Sequence, residues 1–179
     1  EVSAPMLVDA GAGYVILGHS ERRRYLGETD KIVNLKVKAA LRAGLIPIIC
    51  IGEQIGQEMG EVVSRQLKEC LADISRVQLK NIVIVYEPVW AISGGAIESG
   101  NACLPDAVFK ANLLIKKILA GIYGRFLAEK AMVIYGGSVD AKNASGYIKE
   151  ARMRGLLVGG ASLDAAEFTQ IVKLADGSQ

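Results

Sequence analysis

Ile82-Val83-Ile84-Val85-Tyr86-Glu87-Pro88-Val89-Trp90 opens with an unbroken apolar run, then places a carboxylate and a proline where the run ends. A strand with one wet face alternates apolar and polar residues. Continuous Val/Ile runs belong to strands covered on both faces, the pattern of a parallel sheet under helices. Working outward, the same kind of run recurs at Tyr14–Leu17, Leu45–Ile51, Met132–Tyr135 and Leu156–Val158. Pro47 sits near the start of its run, where a missing ladder donor is best tolerated. The runs end at 17, 51, 86, 135 and 158, giving intervals of 34, 35, 49 and 23 residues.

Those intervals carry helical period. Thr29 or Asp30 can cap a stripe of Ile32, Val33, Leu35, Val37, Ala40 and Leu41 that Gly44 stops. Val62, Val63, Leu67, Cys70, Leu71 and Ile74 form a second stripe, and Pro105 opens a third that ends near Gly121. Ala144, Tyr147 and Ile148 suggest a short fourth helix, and Ala165 to Leu174 a terminal one. The chain opens on a helix too, with Ser3 as cap and Pro5 in the first turn. Strand–helix alternation predicts an α/β fold of five parallel strands with right-handed crossovers, in one domain over residues 1–179.

Composition narrows the function classes. Lys+Arg 21 against Asp+Glu 19 leaves a net charge of +2, no basic excess for a row of phosphates, so neither nucleic acid nor membrane is an expected partner. No apolar run approaches the roughly 18 residues of a membrane-spanning helix. Cys50, Cys70 and Cys103 are too sparse for a disulfide frame or a zinc site, which fits a reducing cytoplasm and predicts no metal.

In α/β sheets and barrels, ligands bind at the carboxyl ends of strands. Here those ends read Gly18-His19-Ser20-Glu21, Gly52-Glu53, Glu87-Pro88, Gly136-Gly137-Ser138 and Gly159-Gly160-Ala161-Ser162. His19, the sole histidine, can shuttle a proton or polarise a carbonyl, or can simply hydrogen-bond as a structural group. Glu87 is either a general base at an apolar rim or one half of a rim ion pair. Pro88 to Ile92, followed by Ser93-Gly94-Gly95, suits a lid with a stiff start and a small-residue tip, with Trp90 as its latch. The two glycine-rich turns offer backbone N–H groups to a phosphate. Cys50 and Cys70 read as packed small apolar residues, and Arg22-Arg23-Arg24 as an ion-paired, solvated run.

Taken in order, Tyr14–Arg23, Pro47–Glu53, Tyr86–Ile92, Tyr135–Val139 and Leu157–Leu163 resemble the triosephosphate isomerase family. The resemblance implies a (β/α)8 TIM barrel, here incomplete, because it starts after roughly three of eight βα units. It implies interconversion of dihydroxyacetone phosphate and glyceraldehyde 3-phosphate through an enediolate, in glycolysis and gluconeogenesis, without cofactor or metal. In that family's well-known chemistry Glu87 is the base and His19 the neutral imidazole that polarises the carbonyl. Glu21 supports the site and Cys50 packs beneath Glu87. By the same resemblance Ser93, Ser138, Gly159 and Gly160 are expected to hold the phosphate. A homodimer in the cytoplasm is implied for the full-length protein.

Three departures accompany the resemblance. The lid tip is Ser93-Gly94-Gly95-Ala96 rather than Gly-Thr-Gly and a Lys-like residue, and Arg154 stands where the family commonly has Asp. No Asn-Trp-Lys-like segment occurs, although the family takes an active-site Asn and Lys from one. The expectation is therefore little isomerase activity and doubtful dimerisation for these 179 residues alone, the alternative being a noncatalytic phosphate-binding α/β remnant.

Overall fold

Four of the five apolar runs become strands of one parallel sheet in a computed structural model, which describes residues 1–92 and 102–177. The strands are β1 (Tyr14–Leu17), β2 (Ile46–Ile51), β3 (Val83–Tyr86) and β4 (Met132–Tyr135), paired in chain order. The fifth run departs from expectation. Leu156 makes a single parallel bridge to Tyr135, held by Tyr135 N to Gly155 O (3.1 Å) and Leu157 N to Tyr135 O (2.7 Å). Three apolar residues before Gly159 and Gly160 are too few to extend that ladder. The described residues thus form a four-strand parallel sheet, and a complete barrel is not shown.

Helices fill the intervals: α1 (Ala4–Asp9), α2 (Ser20–Leu26), α3 (Asp30–Arg42), α4 (Met59–Cys70), α5 (Pro105–Tyr123), α6 (Arg125–Lys130), α7 (Ala144–Lys149) and α8 (Ala165–Asp176). Ser3 caps α1 by accepting from Met6 N, and Thr29 caps α3 by accepting from Ile32 N. Pro105 occupies the first turn of α5, where its missing N–H costs no helical bond.

Register decides which side chains meet the helices. Leu17, Ile49, Ile84 and Val133 are partners across all four strands, and all are buried in the core. Val33 and Val37 of α3, Val63 and Leu67 of α4, and Ile115 and Leu119 of α5 join the same cluster. The next row, Ile16, Ile48, Val83 and Met132, points to the other face, since side chains alternate along a strand. There Ile16 is 45% exposed and Met132 41%. The expectation of strands covered on both faces therefore holds for the helical face only. Among the described residues the second face is partly open.

Candidate active site

His19 and Glu87, 68 positions apart in sequence, meet because β1 and β3 both end toward the same edge of the sheet. Gly18, at the end of β1, turns the chain with φ +69°, in the left-handed region that favours glycine. His19 then becomes the N-cap of α2. Its Nδ1 accepts the backbone N–H of Glu21 at 3.3 Å. With Nδ1 spent as an acceptor, the neutral ring carries its proton on Nε2, and Nε2 lies 2.8 Å from Glu87 Oε1. The other Glu87 oxygen accepts from Ser20 N at 3.4 Å.

Glu87 is held from beneath. Its backbone N donates to Ile51 O at 2.7 Å, which lays the residue across the end of β2. Gly52 makes this crossing feasible, because a Cβ there would fall 2.1 Å from the Glu87 carbonyl oxygen. The carboxylate is 3% exposed, so its charge has traded water for the imidazole and one backbone N–H. Donation from the imidazole to the Glu87 carboxylate holds the His19 pKa above the usual histidine value, with burial opposing it. Cys50 is fully buried, and its thiol is pushed far up by burial and by the neighbouring Glu87 charge. A buried thiol with its pKa raised stays neutral, and a neutral thiol is a poor nucleophile.

Two supporting arrangements were not evident from sequence. Glu53, buried at the end of β2, accepts from Tyr86 Oη (3.1 Å) and from Trp90 Nε1 (2.8 Å), while its carbonyl accepts from Val89 N (2.9 Å). It fixes the short 3-10 turn Val89–Ala91 that follows Glu87. Arg23 of α2 bonds Gly18 O (2.6 Å), Asp30 Oδ1 (2.5 Å) and Cys50 O (3.4 Å). One guanidinium thus ties the ends of β1 and β2 to the start of α3. Within the basic run, Arg22 pairs with Glu1 and Glu28, and Arg24 lies 5.2 Å over the Tyr25 ring. Arg23, by contrast, is mostly buried and not solvated. The signal for Glu53 was present as a carboxylate one glycine after an apolar run.

The remaining expected site residues are dispersed. The Glu21 carboxylate is exposed, 4.0 Å from His19 Nδ1, while its backbone N–H donates to the same nitrogen at 3.3 Å. Ser138, just past β4, donates its N–H to Ala91 O at 2.7 Å. Gly159 and Gly160 lie exposed at the end of the fifth run, where Gly160–Leu163 forms a 3-10 turn. Ser93 and the rest of the lid tip lie outside the described residues. No group of three His, Cys, Asp or Glu among the described residues could hold a metal ion, and no described helix is long and apolar enough to cross a membrane.

The family model described as Triosephosphate isomerase matches residues 1–175. Curated relatives bearing that name include one from Citrifermentans bemidjiense, 45% identical over 98% of this chain and 70% of its own length. Others come from Endomicrobium trichonymphae, at 45% identity over 97% of this chain and 68% of the relative, and from Symbiobacterium thermophilum, at 46% over 98% and 68%. The chain belongs to the triosephosphate isomerase family. For a triosephosphate isomerase sequence the geometry has a direct chemical sense. A buried carboxylate and an Nε2–H donor face each other at the carboxyl ends of parallel strands, the end at which α/β folds in general bind ligands.

Proposed function

We propose that this protein interconverts dihydroxyacetone phosphate and glyceraldehyde 3-phosphate by moving one proton between adjacent carbons. The single observation that carries the reading is the 2.8 Å contact of His19 Nε2 with Glu87 Oε1, a base and a proton donor on one site edge. Substrate entering between them would place its carbonyl oxygen against Nε2–H and the neighbouring C–H against the carboxylate. Glu87 would take the C–H proton, His19 would give its Nε2 proton to the enediolate oxygen and recover one from the neighbouring hydroxyl, and Glu87 would return its proton to the other carbon, so that one proton moves between the carbons and one between the oxygens. Atoms and electrons balance with no redox partner.

Once Glu87 turns from His19 to the substrate, the influence that raises the imidazole pKa weakens. The N–H of Glu21 at the start of α2 then favours the neutral ring with its proton on Nε2. Ser138, Gly159 and Gly160, with Ser93, would receive the phosphate from neighbouring strand ends. The lid after Trp90 would exclude water and protect the intermediate. A cytoplasmic homodimer is the setting this reading carries with it. Without the family's Asn and Lys, these 179 residues by themselves should turn over slowly.

The test compares triose phosphate interconversion by wild type and Glu87→Gln in the protein that carries this sequence. The substitution removes the base while keeping shape, and should lower kcat by about 10²–10⁴. Equal rates overturn the assignment of Glu87. Phosphate ester binding with no turnover at any protein concentration favours the noncatalytic reading instead.

A further inference from the structure

A second cluster of charge sits at the opposite end of β4. Lys116, midway along α5, donates Nζ to Glu129 O (3.1 Å) and Ala131 O (2.7 Å) at the end of α6. Arg154 reaches the same helix end, donating to Lys130 O and Glu129 O at 3.3 Å each. The guanidinium of Arg152 lies 5.5 Å from the Phe109 ring centre. Together with Asn112 these side chains line a recess of about 220 Å³.

Glu129 also lines the recess, so one carboxylate stands there against three cations. Among the described residues, no carboxylate forms an ion pair with Lys116, Arg152 or Arg154; the Glu129 carboxylate lies 3.6 Å from Arg125 instead. Contacts to helix-end carbonyls occupy two of the lysine's three donors and two of the five on Arg154. Burial and the neighbouring Arg154 push the Lys116 pKa down to about 8, with Glu129 partly offsetting them. Asn112 is buried and gives both hydrogens of Nδ2, to Ala151 O (3.1 Å) and Arg152 O (2.9 Å). Its Oδ1 is left buried with no donor. Those two bonds also hold Arg152 at φ +54°, a left-handed conformation that a side chain disfavours. A lattice of carbonyls needs donors at this place, but not three cations lining one recess with an orphan acceptor.

We propose that this recess is a second phosphate-binding site, distinct from the site at His19 and Glu87, which takes inorganic phosphate or the phosphate group of a small ester. A phosphate dianion answers the cations, and a phosphate retaining one proton can also donate to Asn112 Oδ1, which a carboxylate cannot. The site is at the amino end of β4, whereas His19 and Glu87 lie at the carboxyl ends of β1 and β3, so the two do not compete for one ligand. The proposal does not depend on the isomerase reading.

Because a bound anion favours the charged amine, it must raise the Lys116 pKa, and affinity must fall as pH rises through that value. The experiment follows Lys116 by NMR of carbon-13 lysine-labelled protein, with the resonance assigned by its absence in Lys116→Arg. Titrations in sodium chloride, sodium phosphate and glycerol 3-phosphate are run at one ionic strength, about 0.15 M, so that screening is equal. The Lys116 midpoint should rise in either phosphate relative to chloride, and that rise should vanish in Arg152→Gln and in Arg154→Gln. A rise with inorganic phosphate alone assigns the free ion; a rise with both assigns the shared group. Equal midpoints in all three salts, or a rise that survives both arginine substitutions, overturns the proposal.

Discussion

His19 carries two jobs with one ring, since it caps α2 through Nδ1 and faces Glu87 through Nε2. The acid–base consequence follows from the direction of its shift. The folded pKa is raised chiefly by the hydrogen bond to Glu87. The stabilisation from a charged His19 is therefore complete below the unfolded value of about 6.5 and fades as pH rises through the folded one. As the sole histidine, its ring resonances are unambiguous. NMR titration should give a midpoint above the free-histidine value in wild type, and Glu87→Gln should bring it down. An unmoved midpoint in that variant would mean the pair does not exist in solution.

Among the elements, β1 and β4 match their apolar runs residue for residue, because each run is bounded by glycine or polar residues at both ends or by a helix just before it. α2 and α6 were not legible. α2 buries none of its residues and starts on a histidine cap, and α6 buries only Ala128, so neither leaves an apolar stripe to read. The same reason separates the site residues. Glu87 follows its apolar run directly and His19 follows its run after one glycine, whereas the role of Glu53 depends on Tyr86 and Trp90, 33 and 37 positions away. No local pattern announces a partner at that distance. Glu53→Ala removes the acceptor from a buried phenol and an indole, and should cost about 1–3 kcal/mol of stability. Trp90 is the only tryptophan, so its fluorescence should shift to the red in that variant as the turn after Glu87 loosens. An unchanged melting curve and emission maximum would show that Glu53 does not anchor the turn.

At the scale of the whole molecule, the two sheet faces are unequal. The row Leu17, Ile49, Ile84 and Val133 is sealed under helices, while Tyr14, Ile16 and Met132 remain 59%, 45% and 41% exposed. Among the described residues β2 is the only strand neighbour of β1, whose other edge is unpaired. An apolar face beside an open edge favours association. The 179-residue chain should therefore form larger species as concentration rises, and Ile16→Lys should shift light-scattering mass toward the monomer without altering the helical signal in circular dichroism. A monodisperse wild-type monomer across the same concentrations would contradict this.

The capping role of His19 reaches further than its charge. α2 is a seven-residue helix with no buried side chain, the kind of segment that opens locally long before a domain unfolds. Each opening would release the Glu21 amide and let the imidazole proton choose either nitrogen. Hydrogen exchange at Glu21 and the tautomer population of His19 should thus follow one opening equilibrium, so that the readiness of the proton donor is set by how often a single short helix frays.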